Sequence, residues 1–138
     1  MNAVRLARIA LVAGFLLLAG CATKQHSRDL LHVTLYDYSG AIRWNNFAGA
    51  AALLDPKLEQ PVKAIDMKRY EQVQITGYDV RGSEMPTPET YNQVVEIRLI
   101  NRHTQAERSI VDRQRWRYDA EARQWWLTSG LPDITEGR

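Results

Sequence analysis

The sequence predicts an α+β fold in which a long N-terminal helix packs on a curved, mostly antiparallel four-stranded sheet. Three observations carry this. Apolar residues recur with a helical period between Leu31 and Leu54. The period falls to two beyond Lys68. The last strands are separated by short polar segments suited to hairpin turns.

The helical part comes first. Ser27 can cap a helix, and Asp29 suits its positive N-terminal end. Leu31, Leu35, Tyr38 and Ile42 form one stripe, and Ser39-Gly40 offers a place to kink or break. A second apolar set follows in Trp44, Phe47, Ala48, Ala51, Ala52 and Leu54, until Pro56 pushes Asp55 out of helical geometry. Arg28 to Leu54 therefore reads as one long kinked helix or two stacked ones. Asp55 to Asp66 reads as a loop with room for a helical turn.

The strands follow. In the first, Arg69 to Gly82, Val73 and Ile75 share a face, Gly77 permits a bulge, and Tyr78 and Val80 continue that face. Ser83 to Glu89 holds two prolines and reads as a loop. Thr90 to Arg102, Glu107 to Tyr118 and Gln124 to Ser129 complete the sheet as consecutive hairpins. Matching chemistry across the turns sets Arg102 opposite Glu107, Leu99 opposite Ile110, Tyr118 opposite Arg123 and Trp116 opposite Trp125. One face then holds Val95, Ile97, Leu99, Ile110, Trp116, Trp125 and Leu127, a core face. The other holds Glu96, Arg98, Arg113, Arg115, Arg117, Trp126 and Thr128, a solvated face with ion pairs and room for an Arg–Trp stack.

Ahead of the helix lies a different chemistry. Arg5 and Arg8 precede an apolar run, Ile9 to Gly20, that is shorter than the roughly 20 residues needed to span a bilayer. It ends in Leu18-Ala19-Gly20-Cys21, which resembles the lipobox of bacterial lipoproteins. The resemblance implies cleavage between Gly20 and Cys21, with a diacylglyceryl thioether and an acylated amine on Cys21. A cysteine suits this because its thiolate is a strong nucleophile. Ala22 follows where an aspartate would imply inner-membrane retention, so the expected location is the periplasmic face of a Gram-negative outer membrane. The expected organisation is 1–20 signal peptide, 21–28 lipidated cysteine and linker, 29–132 a single domain, and 133–138 a tail.

Maturation changes the composition. Of 18 basic residues, Arg5 and Arg8 are lost, leaving 16 against 16 acidic ones in 118 of the 138 residues. A neutral mature chain argues against nucleic-acid binding. The sole cysteine is spent on lipid, so no disulfide is expected. His26, His32 and His103 have no ligand spacing, so neither a metal nor another cofactor is expected. Ala22 to Arg28 reaches about 25 Å at most, which keeps the domain near its bilayer.

Some positions break the pattern. Asp112 and Gln114 fall on the core face, with Gln93 and Tyr118 near. They either line the mouth of a pocket that orients a small ligand over Trp116, or sit at the wet end of the sheet. Arg113, Arg115 and Arg117, with Trp126, are either a contact for lipid phosphates or an acidic partner, or a face neutralised by Glu96, Asp119 and Glu121.

The order of helix, strand, loop and three-stranded meander, with the tract Asp112 to Pro132, resembles the cystatin-like cone of the nuclear transport factor 2-like superfamily and small proteobacterial lipoproteins of that shape. The resemblance implies a sheet curled around the helix, often leaving a pocket. Its members include isomerases, dehydratases and non-catalytic modules. The catalytic tyrosine and aspartate of ketosteroid isomerase-like members do not map onto this sequence; Tyr38 with Asp112 is the only pair to propose. The first expectation is therefore a non-enzymatic lipoprotein that docks an envelope protein. The second is a binding module for a small apolar ligand, and the third an isomerase- or dehydratase-like enzyme. A homodimer is also open.

Overall fold

The computed structural model describes residues 24–58 and 66–134. Cys21 and the segment 1–20 expected as a signal peptide lie outside them.

Helix α1 spans 24–43. Its first turn takes in residues expected in the linker, and Ser27 is inside the helix rather than at its cap. The Ser27 hydroxyl donates to the Lys24 carbonyl (3.0 Å), and the Ser27 carbonyl accepts from Trp125 Nε1 (2.8 Å). That long-range bond ties the first turn to the core.

The helix runs through Ser39-Gly40 unbroken, and the turn at Trp44 and Asn45 ends it. Asn45 is left-handed (φ 56), and its N–H reaches the Ile42 carbonyl while that of Asn46 reaches Ala41. This crossed pair of bonds is a Schellman ending, with asparagine in glycine's usual place. The Asn45 amide then donates to the Val73 carbonyl (2.8 Å) and accepts from the Ile75 N–H (3.0 Å). Asn46 caps α2, Phe47–Ala51, by accepting from the Gly49 N–H. Two adjacent asparagines thus make the corner expected at Ser39-Gly40.

A short helix α3, Lys68–Glu71, occupies the start of the expected first strand. Then come β1, Val73–Thr87, β2, Thr90–Asn101, β3, Glu107–Asp119, and β4, Gln124–Leu127. They form one open sheet in the order β1-β2-β3-β4, all antiparallel. Leu54 adds an isolated parallel bridge to Leu127.

Most of the proline-bearing segment expected as a loop is strand instead, and only Pro88 and Glu89 form the turn. β1 continues to Thr87 through register shifts between Val80 and Gly82 and between Glu84 and Thr87. An edge strand can host Pro86, because the missing N–H need not face a neighbour. The expected bulge at Gly77 is present.

Both hairpins are slipped by two residues from the expected register. Ile97 faces Ile110 and Ile100 faces Glu107, while Trp116 faces Leu127 and Tyr118 faces Trp125. The cause is turn chemistry. Asn101 Oδ1 accepts from the N–H groups of His103 and Thr104, and Asp119 Oδ1 from those of Glu121 and Ala122. Each turn closes through a left-handed residue, Gln105 or Arg123. These turns consume more residues than a tight hairpin. A slip of two preserves which face each side chain takes, so the seven expected core-face residues are all buried.

Helix α1 covers that face. Leu31, Tyr38 and Ile42 join the core, and Tyr38 meets Trp116 edge-on at 5.1 Å. Phe47 and Leu54 extend it. Trp44, expected in the second apolar set, is 85% exposed instead. At 3.6 residues per turn Trp44 falls in line with exposed Val33 and Tyr36, on the side of α1 away from the sheet.

Candidate functional site

Of the residues expected to line a pocket, Gln93, Asp112, Gln114 and Trp116 come together under α1. Alternation along β2 and β3 aims all four at the core face, and all are buried. Gln114 is the hub. Its amide nitrogen donates to Asp112 Oδ2 (2.7 Å) and the Tyr78 hydroxyl (3.0 Å). Its amide oxygen accepts from Gln93 Nε2 (2.6 Å) and, more weakly, from Trp116 Nε1 (3.4 Å). Tyr91 donates to Gln93 Oε1 (3.3 Å). Tyr118 is not part of this cluster; it is buried against Trp125, with ring centroids 5.4 Å apart.

Tyr78 and Tyr91 were missed as members. Tyr78 comes from β1 and meets Gln114 across the sheet, which no spacing within one strand announces. Tyr91 and Gln93 stand two apart on one strand, as do Asp112 and Gln114, a polar i, i+2 signal that was available.

Tyr38 hangs over the cluster from α1. It is fully buried, and its hydroxyl has no hydrogen-bond partner among the described residues. Burial, reinforced by the Asp112 charge, pushes its pKa well above the ordinary tyrosine value. Burial also raises Tyr78, to about 12, against a lowering hydrogen bond from Gln114. Both phenols are therefore neutral at physiological pH. A groove of about 490 Å³ opens beside the cluster between α1 and the sheet, with Leu35, Tyr36, Tyr78, Val80 and Gln93 among its walls.

The opposite face of the sheet carries the arginines. Arg117 leaves the expected stripe to bind Asp55, which is only 5% exposed, through Nε (3.0 Å) and Nη2 (2.9 Å). Asp119 lies 3.6 Å from its other arm. These bonds raise the Arg117 pKa further, that to Asp55 most of all. Arg113 and Arg115 are exposed, with no ion-pair partner among the described residues. Trp126 is half-buried opposite Arg117. Arg113 and Arg115 border a depression of about 410 Å³ with Ser83, Glu84, Asn92 and Val94, where the β1 bulges bend the edge away. Glu96, expected to neutralise the stripe, is instead paired with Arg81 (2.6 Å).

His32 and His103 are exposed, and a His26 ring nitrogen meets Arg123 Nη2. No group of three metal-ligating side chains occurs among the described residues. No described helix is long and apolar enough to cross a membrane. The expected lipidation and cleavage positions, Cys21 and Gly20, lie outside the described residues.

No protein-family model matches the chain, and no curated protein matches it. Among solved structures it is similar to the solution structure of a SEC-C motif-containing protein from Rhodopseudomonas palustris. The TM-score is 0.52 at 16% identity, over 69% of this chain and 72% of that one. At that identity the likeness is one of fold.

Proposed function

We propose that the chain is a lipid-anchored, non-enzymatic docking module on the periplasmic face of the outer membrane, with a cystatin-like cone of the nuclear transport factor 2-like kind. The observation that carries docking is the depression beside Arg113 and Arg115. Two arginines without ion-pair partners among the described residues border a concave surface, with apolar Val94 across from Arg113 and Asn92 across from Arg115 on β2, a pattern suited to an acidic segment of a partner protein. The buried cluster supports the same reading from inside, since Gln114, Gln93, Tyr78 and Asp112 spend their hydrogen bonds on one another. The lipobox-like Leu18 to Cys21 supplies the address. A crosslinker placed at Val94 in the membrane-bound protein should capture one partner, and Arg115→Glu should release it. If capture survives the charge reversal, the docking surface is elsewhere.

One observation favours a second reading, a binding module for a small ligand. The buried Tyr38 hydroxyl has no described partner and could receive a polar atom of a mostly apolar molecule. Such a molecule would co-purify and be visible by native mass spectrometry.

A further inference from the structure

The side of α1 that the sheet leaves uncovered carries an apolar row of its own. At 3.6 residues per turn, Val33, Tyr36, Gly40 and Trp44 fall in line, opposite core-facing Leu31, Tyr38 and Ile42. Val33 is 58% exposed, Tyr36 80% and Trp44 85%. A Cβ at Gly40 would meet nothing within 4 Å, so open space separates the two rings. Single exposed apolar residues are ordinary, but two aromatics in one row on one helix mark a contact surface. The row itself carries no charge; Asp29 and Asp37 flank it, and Arg43 at its edge donates to the Tyr78 carbonyl on the sheet. The occupant is therefore chosen by apolar contact more than by charge.

Resting on the reading of Cys21 as an acylated residue, we infer that the occupant is the bilayer that holds those acyl chains. The three steps from Cys21 to Lys24 reach about 10 Å at most. The start of α1 would thus be pinned at the lipid headgroups. The helix is about 30 Å long. Laid along the surface with this row downward, it places Tyr36 and Trp44 in the interfacial layer that tyrosine and tryptophan rings favour. Because α1 covers the inner face of the sheet, Arg113 and Arg115 on the outer face then point away from the membrane. The basic depression is turned from lipid phosphate towards protein in the periplasm.

The test uses the full chain, matured in a Gram-negative host and reconstituted in vesicles of phosphatidylethanolamine and phosphatidylglycerol with a doxyl-labelled lipid. Trp116 and Trp125 are buried in the core and half-buried Trp126 lies on the outer face, turned from the bilayer, so most lipid-quenchable fluorescence should come from Trp44. Trp44→Phe should remove most of the quenching while near-ultraviolet circular dichroism keeps its native signature, and in the unsubstituted protein the quenching should persist in high salt. Mass spectrometry of the same sample reads the lipid on Cys21. A lipidated protein whose quenching is unchanged by Trp44→Phe overturns the inference and leaves the anchor standing. An unmodified Cys21 overturns both. A photo-crosslinker at position 36 that captures a second copy or another protein, and no lipid, also overturns it.

Discussion

The two faces of the sheet treat polar side chains in opposite ways. On the inner face, under α1, Gln93, Asp112 and Gln114 are buried and bonded to one another and to Tyr78. On the outer face, Arg113 and Arg115 stand in solvent on the same strand, one residue out of phase. A buried polar group left without a partner forfeits its whole hydration, whereas an exposed one keeps it. Inner-face polarity should therefore be structural and expensive to disturb. Outer-face polarity should be nearly free to change without loss of fold, which is the condition for surface function.

Gln114→Ala tests this most severely. It removes the hub, takes one bond each from Asp112, Gln93 and the Tyr78 hydroxyl, and opens a void beside Trp116. Loss of about 3 kcal/mol is expected in urea unfolding. A loss below about 1 kcal/mol, the scale of one ordinary hydrogen bond, would mean that water replaces the network cheaply and the inner face is not closed.

The outer face contains its own exception, and a pair of variants isolates it. Arg117 is held by Asp55, itself buried and committed to the Lys57 N–H at the Pro56 turn. Arg117→Ala leaves that carboxylate uncompensated and should cost about 2 kcal/mol. Arg113→Ala should stay within about 0.5 kcal/mol. Equal thermal midpoints for the two variants would erase the distinction between a structural arginine and a surface one.

The faces were legible in the sequence because a two-residue slip leaves inside and outside unchanged. The register was not, because Asn101 and Asp119 widen turns that residue matching treats as tight. The α1 corner was misplaced for a related reason. Ser39-Gly40 looks like the break, yet asparagine also takes the left-handed conformation, and Asn45 in that conformation finds partners on β1. Within the site, Gln93, Asp112, Gln114 and Trp116 showed as polar or amphipathic residues in core phase. The Asp55–Arg117 contact spans 62 positions and leaves no trace in local pattern. Trp44 misled because periodicity counts apolar residues on a helix without saying which row the sheet will cover.

Tyr38→Phe carries the smallest effect and has an unusual sign. Removing a buried hydroxyl normally costs stability because a hydrogen bond goes with it. Here the hydroxyl has no described partner, so the variant should be more stable by about 1 kcal/mol or unchanged. The pH dependence sharpens the point. In the unfolded chain this phenol ionises near its ordinary value of 10.0, whereas in the folded protein burial and Asp112 hold it neutral well beyond that. Above pH 10.0 the unfolded state therefore sheds a proton that the folded state keeps, and the stability of the unsubstituted protein falls as pH rises. Phenylalanine removes that share, while Tyr70 and Tyr78, each raised to about 12, remain in both proteins. The gap between variant and parent should widen in the variant's favour from neutral to alkaline pH, read from unfolding midpoints at each pH. A variant less stable at neutral pH would reveal a partner for the hydroxyl and would make the inner face fully satisfied, with Tyr38 included.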